Sequence, residues 1–530
     1  MAELDWTWVP FLAPQLFLLA FALVLPWLHY IRSIDRKSMG WFAFIGALFA
    51  LGYAVMMTRL VPGVNLVDMG LLSYGSGGYP LFGGALVVDQ FSVFFQLIFM
   101  TAALLAIAGS LNFVSEDANV GEFYSLILIA TLGMNIVAMG RDLFTIYAGI
   151  EVASLASIAL AAFRKRDPKS VEAGAKFLII SAVSSAMALF GLSLLYGVAG
   201  STNIGVLGSP TIYQGQVLAS PLLKPGFEPV VAIAAVFLVA GFGFKITAVP
   251  FHAWAPDTYE GAPTPVTAYL SSASTKVGFA AMFYIFVAAM FALKAAPQYG
   301  VEIMIGGVAV ASMTLGNLLA IAQANLKRML AYSSVAQVGY ILIAVAIGTP
   351  AAVAAGLFYL LVHVFMKGGA FFVVGMLGTH VGETVDSYKG LRYRSPLGAF
   401  AMTIFLLSLA GIPPLGGFWA KWFVFSSAIQ HSIAHPGNLA WVLAVAGILN
   451  SALSLYYYLK VVKHMYVLGE EDRDKLTRLR VPEDRALLNV VIVCLVLIFF
   501  MGLYPEPFIG IAREAAGALM PASAGGAYAP

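Results

Sequence analysis

Eight ionisable residues stand inside stretches that are otherwise apolar: Glu151, Lys176, Lys245, His252, Lys276, His363, Lys367 and Lys421. Their types suit proton exchange. Carboxylate, imidazole and amine each take up and release a proton, and an ammonium removed from water gives its proton up more readily than one in solution. An ionisable group at bilayer depth costs about 2.5–3.5 kcal/mol on insertion scales, so such groups are usually functional. A snorkelling lysine or a carbonyl-bonded histidine accounts for any one of them without function. It accounts poorly for eight in one chain.

The rest of the chain is built to sit in a membrane. Of 530 residues, 61% are hydrophobic and 10% charged, and the mean hydropathy is +0.89, far from the soluble range of about 45–50% apolar and about 25% charged. A formal net charge of +3, with no basic cluster suited to phosphate contacts, excludes nucleic acid as a partner and leaves the lipid bilayer. The single Cys494 lies in "VVIVCLVLIFF" and forms neither an intrachain disulfide nor a cysteine metal cluster. No nucleophile triad, phosphate-cradling glycine loop or metal-spaced ligand set is present, and His431 and His435 lack a third ligand. The first apolar run follows the acidic "MAELDW" and reads as a retained helix rather than a signal peptide.

Apolar runs long enough to cross about 30 Å of hydrocarbon number fourteen: 8–30, 40–60, 90–113, 122–140, 142–163, 168–199, 229–254, 264–293, 302–324, 329–348, 351–378, 399–428, 437–468 and 486–510. Cytoplasmic loops are enriched in Lys and Arg. With the N-terminus outside, the loops "IRSIDRKS", "FRKRDPKS", "NLKRML", "YKGLRYR" and 460–485 face the cytoplasm and hold 19 of the 29 Lys and Arg. Arg59, Arg141, Lys224, Lys294 and Arg513 face outward, and the other five lie inside helices. Both termini then lie on the non-cytoplasmic side. Among the 26 acids only Glu151 is mid-helix, and "GLLSYGSGGYPLFGG" at 70–84 reads as an external loop.

Residue counts give depths at about 1.5 Å per residue. Glu151 comes out roughly 18 Å from the cytoplasmic end of its helix, Lys176 roughly 13 Å on a helix capped by Asp167 with Pro168 in its first turn, and Lys245 roughly 15 Å. One carboxylate and two ammoniums are thus expected in one layer. Lys276 and Lys367 fall near the midplane, and His363 and Lys367, four apart, share a helix face. Two helices are interrupted: "FKITAVPFH" at Pro250, with His252 beside it, and "AGIPPLGGFWAKWF" at Pro413 and Pro414. Lys245 precedes its break on a helix running inward; Lys421 follows its break on a helix running outward, toward the outer surface. Paired Gly/Pro-interrupted helices in corresponding positions mark inverted repeats around hydrated cavities. The expected fold is all-α, about fourteen transmembrane helices with inverted five-helix repeats in helices 4–8 and 9–13. The units are 1–121, 122–293, 302–468 and 469–530.

"KITAVPFHAWAPDTYEGAPTPVTAYLSSAS", "NLKRMLAYSSVAQVGY", "GEFYSLILIATLGMNIVA" and "LSLAGIPPLGGFWAKWF" resemble the antiporter-like membrane subunits of respiratory complex I, specifically the subunit N (chain 2) group. The likeness runs from about Val87 to Tyr466. It implies a glutamate on helix five (Glu151) paired with a lysine on broken helix seven (Lys245), a modulating lysine on helix six (Lys176), and a lysine on broken helix twelve (Lys421) that opens toward the exit. It further implies that this chain binds no cofactor itself. NADH or another donor, flavin, iron–sulfur clusters and quinone belong to partner membrane and hydrophilic subunits in a prokaryotic inner or plasma membrane. Three departures stand out. "SASTK" delays Lys276 by one position, a rotation of about 100° unless the backbone adjusts. Gln337 stands where relatives often have histidine, and "VHVFMKGG" looks more like the L-type, M-type and cation/proton antiporter relatives. The resemblance leaves three readings: a proton-translocating subunit of a quinone oxidoreductase, a cation/proton antiporter subunit, or a membrane-embedded enzyme such as a head-group transferase. The last needs a catalytic loop at one interface, whereas these residues line the midplane.

Overall fold

The computed structural model describes residues 8–28, 31, 35–58, 78–115, 117, 119–290, 300–467 and 481–520. Part of "IRSIDRKS", residues 70–77 of the glycine-rich stretch, 468–480 of the long polar stretch, Arg59, Lys294 and the last ten residues lie outside them. Thirteen helices among the described residues are long and apolar enough to cross a membrane. They begin with α1 (Val9–Leu28), α2 (Arg36–Met56), α3 (Gln90–Ser110), α4 (Val120–Met139), α5 (Leu143–Ala161) and α6 (Pro168–Ala199). Then comes α7 (Glu228–Lys245), followed after its break by the short α8 (Trp254–Gly261). The eighth crossing, Thr264–Ala289, contains α9 (Thr264–Tyr269) and α10 (Thr275–Met282). Next are α11 (Val301–Ile321), α12 (Leu326–Ile347) and α13 (Pro350–Val381), with α16 (Ala440–Tyr466) and α17 (Arg485–Leu503) after the break. The fourteenth crossing is the broken pair α14 (Pro396–Ala410) and α15 (Gly416–Ala434).

Polar residues stop and start these helices where the apolar runs end. Asp167 accepts a hydrogen bond from the Lys169 amide with Pro168 behind it, as its position predicts; Asp89, Asp142, Asn325, Thr349, Ser395 and Asp484 cap the next helices in the same way. The last apolar run departs from expectation. Helix α17 ends at Leu503, not near 510, and Pro505 leads into an amphipathic α18 (Glu506–Leu519) whose Phe508, Ile511 and Ala515 are buried. The end of the glycine-rich stretch enters a small hairpin, β1 (Tyr79–Leu81) with β2 (Leu86–Val88). Cys494 is buried in the packing.

Burial sorts the helices into two layers. The eighth crossing, α12 and α13 are almost wholly enclosed, whereas α1, α2, α6 and α16 turn much of their surface outward. That surface carries Leu178, Ile179, Val183, Trp441 and Leu449, side chains at home in hydrocarbon. The enclosed layer carries Lys276, His363 and Lys367.

Each broken crossing has a residue in the left-handed region: Thr247 at φ 65° after α7, and Gly411 at φ 91° after α14. Glycine adopts this freely and a β-branched threonine does not, so the first break holds local strain. The second break is tightly packed. A Cβ on Gly417 would lie 1.9 Å from the Ser408 carbonyl oxygen, and one on Gly502 would lie 1.9 Å from that of Pro414. Both neighbours are backbone and cannot step aside. Gly417→Ala is therefore expected to destabilise the chain by about 3 kcal/mol, at the upper end for overpacking. Loss of assembled protein on a native gel checks this; undiminished assembly and thermal stability would show that α15 can shift.

Candidate functional site

Helix polarity decides where each long side chain goes. The Cα–Cβ bond tilts toward a helix N-terminus, and α6 starts from the face carrying the basic loops whereas α7 starts from the opposite face. Lys176 therefore leans back to the basic face and Lys245 leans away from it. The expected single layer of Glu151, Lys176 and Lys245 is not what forms. Lys176 Nζ lies 2.7 Å from Glu172 and 2.6 Å from Asp257 Oδ2, with 41% of its side chain exposed.

Lys245 is buried and donates to the hydroxyls of Ser154 and Ser181, each at 2.8 Å. Glu151 accepts from Ser185 Oγ. Among the described residues, Glu151 and Lys245 form no direct ion pair; Lys245 meets hydroxyls of α5 and α6, and Glu151 one of α6. Ser154 lies three residues after Glu151, and Ser181 and Ser185 are four apart, so each set falls on one helical face. That spacing was the available signal for these serines. His252 sits on the irregular turn before α8, edge-on to Tyr332 with ring centroids 6.2 Å apart, and its Nδ1 is buried without a partner.

The one-residue delay of Lys276 is absorbed by the backbone. Residues Leu270–Ser274 form a π-helical turn directly before α10. A π-turn closes i to i+5 and takes up one extra residue, which cancels the rotation. Lys276 Nζ then lies 2.8 Å from His363 Nδ1 and bonds the Ser271 carbonyl oxygen. When Lys276 is an ammonium it can only donate, and in that state His363 accepts at Nδ1. Gly278, two residues on, lets this crossing reach the first break: a Cβ there would be 3.0 Å from Lys245 Cβ and 2.6 Å from Ile246.

Lys367, on the His363 face of α13, donates to Ser333 Oγ at 2.8 Å. Ser333 shares a hydrogen bond with Tyr458, and Gln337 donates to Tyr458 at 3.4 Å and to the Leu409 carbonyl at 3.1 Å. The position that lacks a histidine is therefore a fixed amide in a hydroxyl network. Lys421 is buried and leans back to its own break, donating to the Ala410 carbonyl at 3.0 Å and to Ser451 at 2.8 Å. The expected outward placement is thus countered by side-chain direction, which turns the ammonium back to the break. A cavity of about 280 Å³ lined by Lys421, Ser451, Trp422, Phe425 and Leu455 lies beside it.

At the basic face a separate cluster holds the elements together. Asp257 on α8 takes Lys176 on one oxygen and Arg328 Nη1 of α12 on the other at 2.7 Å, and Arg328 also reaches Glu260 at 3.1 Å. Burial pushes the Asp257 carboxyl up, but the bonds from Lys176 and Arg328 outweigh it and hold it below the usual carboxylate range. Among the described residues no group of three or more His, Cys, Asp or Glu is placed to hold a metal ion.

Fold and site together define a multi-pass membrane protein with a line of buried titratable side chains joining two broken helices. Residues 140–454, more than half of the chain, match the model of the NADH:quinone oxidoreductase/Mrp antiporter transmembrane family, and the chain belongs to that family. It is 42% identical to F(420)H(2) dehydrogenase subunit N of Methanosarcina mazei over 97% of this chain and 99% of that one. With NADH-quinone oxidoreductase subunit N of Moorella thermoacetica the identity is 39% over 94% and 95%. A chain of respiratory complex I from Thermus thermophilus superposes with a TM-score of 0.73 at 29% identity, covering 94% of this chain and 98% of that one.

Asp257→Asn is expected to lower stability at neutral pH by about 1 kcal/mol, a modest value because the cluster is partly solvated. A carboxyl held below its ordinary pKa contributes stability that is complete above that pKa and is lost as the pH falls through the depressed value. The difference in thermal midpoint between variant and native protein should therefore persist at pH 7 and close only below about pH 4. A difference that does not change with pH would assign it to packing.

Proposed function

We propose that this chain is the non-redox, proton-translocating membrane subunit of a complex I-type quinone oxidoreductase. The electron donor, flavin, iron–sulfur clusters and quinone belong to its partner subunits; the names of its relatives carry the donor and the quinone. The observation that carries the reading is the succession of intramembrane groups: half-buried Glu151 on Ser185, then the buried Lys245 on Ser154 and Ser181, Lys276 on His363, Lys367 on Ser333, and Lys421 at the second break. In this reading the units 122–293 and 302–468 are inverted repeats, each contributing one broken helix.

Lys245 is the switch. Its ammonium is solvated by hydroxyls, which favour the charged amine but form no covalent or bidentate clamp, so a change of charge near Glu151 alters how firmly the proton is held. An opposite charge within about 4–6 Å is worth about 1–3 pKa units, or roughly 1.4–4 kcal/mol. Released, the proton passes toward Lys276 and His363, which Gly278 brings against the first break. Lys421 is the exit group, and Lys176 acts from the basic-face cluster by biasing Asp257 and the turn that holds His252.

Lys245→Arg keeps a cation and donors for Ser154 and Ser181, yet guanidinium is not deprotonated in proteins. Proton translocation by the intact complex in proteoliposomes is expected to fall about tenfold or more, with assembly on a native gel unchanged. Unimpaired pumping would make Lys245 a structural counter-ion. The family also includes antiporters, so a cation/proton antiporter subunit is the second reading. Sodium-dependent proton exchange by a complex lacking flavin and iron–sulfur subunits would establish it instead.

Orientation follows from the basic loops: both termini lie on the non-cytoplasmic side. Arg166, exposed in the loop before α6, gives the test. Arg166→Cys in sealed, right-side-out vesicles should resist a membrane-impermeant thiol reagent until the vesicles are opened. Labelling in intact vesicles would invert the topology.

A further inference from the structure

Among the described residues no acid or histidine is hydrogen-bonded to Lys367 or Lys421, yet a proton following the proposed route must pass from one to the other. Helix α16 supplies groups there. Its "SALSLYYY" stretch puts Ser451, Ser454 and Tyr458 at positions i, i+3 and i+7, which fall on one face of a helix. At one end Ser451 Oγ accepts from Lys421 at 2.8 Å. At the other the Tyr458 hydroxyl is hydrogen-bonded to Ser333, which accepts from Lys367 at 2.8 Å. The two ends are separated by about 10 Å of helix rise. Ser454 sits between them, fully buried, its hydroxyl turned to the Ser451 carbonyl at 2.7 Å.

We propose that Ser451, Ser454 and Tyr458 form a hydroxyl ladder that conducts protons along α16 from Lys367 to Lys421. The proposal rests on the proton-translocating reading above and deepens it by naming the connecting groups. Each hydroxyl both donates and accepts. Lys367 gives its proton to Ser333 Oγ as the Ser333 hydrogen moves to Tyr458, and the Tyr458 hydrogen moves on toward Ser454. Hydroxyl rotation and intervening water close the remaining steps, and the neutral Lys421 amine takes up the proton that arrives. Every oxygen ends with the number of hydrogens it began with, and Lys367 and Lys421 exchange charge.

Gln337 is a positioning residue in this arrangement. Its Nε2 donates to Tyr458 at 3.4 Å and to the Leu409 carbonyl at 3.1 Å, while its Oε1 accepts from Tyr359. An amide cannot titrate at neutral pH, but it can hold Tyr458 against Ser333. The neighbouring Ala410 carbonyl, freed at the end of α14, accepts from both Lys421 and Ser451. The helix break thus anchors the far end of the ladder.

The test uses the intact complex in proteoliposomes, with proton uptake and electron transfer measured together and assembly checked on a native gel. Tyr458→Phe removes one oxygen at nearly constant volume, Ser454→Ala removes the middle rung, and Ser454→Thr keeps it. Lys421→Ala is the control for the route itself. Tyr458→Phe and Ser454→Ala should slow proton translocation about tenfold, with Ser454→Thr near native and all variants assembled. Native pumping by Tyr458→Phe and Ser454→Ala, where Lys421→Ala abolishes it, would overturn the ladder and leave the wider reading intact. Native pumping by Lys421→Ala would overturn both. Equal loss in Ser454→Ala and Ser454→Thr would assign the effect to packing and overturn the ladder as well.

Discussion

Cations placed in an apolar interior must be solvated by the protein, because neither lipid nor a packed core can do it. The arrangement of this chain follows from that constraint. Lys245, Lys276, Lys367 and Lys421 are all buried, and the structure gives each of them neutral oxygens or an imidazole rather than a carboxylate. Ser154 and Ser181 serve Lys245, Ser271 and His363 serve Lys276, Ser333 serves Lys367, and Ala410 with Ser451 serves Lys421. A buried carboxylate beside each would fix the charge; neutral acceptors let it come and go. Asp257, Glu260 and Glu383 do pair closely with cations, but at the basic face, where the pairs hold elements together.

The breaks answer the same need. A continuous helix uses up its carbonyls internally, whereas an interrupted one frees them. At the second break the Ala410 carbonyl becomes a ligand for Lys421, and at the first the Phe244 carbonyl accepts from Trp254 Nε1 at 3.1 Å. Irregular backbone in a membrane interior is tolerated only when surrounded by protein, so both breaks must be packed closely. Gly278 against Lys245 and Gly417 against Ser408 provide that closeness.

Much of this was legible in the sequence, for reasons that can be named. Crossing number, helix ends and the two interruptions follow from run length, from capping residues such as Asp167 and from the positions of Pro250, Pro413 and Pro414, all local properties of the chain. The identity of the buried ionisable residues is equally local, because a charge in an apolar run is conspicuous. What residue counting could not give was azimuth and lean. Depth along the helix put Lys176 beside Glu151, but the tilt of its Cα–Cβ bond and the pull of Asp257, eighty-one residues away in sequence, took its ammonium to the basic face. The amphipathic α18 is not legible from run length because its apolar residues resume at Phe508, only three residues, Pro505 to Pro507, after the preceding run.

By itself, then, the sequence determined that this protein crosses a membrane about fourteen times, breaks two of those crossings and carries ionisable groups at depth. Hydrophobic periodicity and the cost of burying charge operate over a few turns of helix. Only the tertiary structure decided which of those groups meet. The π-turn at Leu270–Ser274 returned Lys276 to His363, and the serines and tyrosine that solvate or join the lysines come from different helices. Such contacts depend on how helices far apart in the chain are rotated against each other. No window of sequence contains that rotation, because it is set by close packing across the whole bundle.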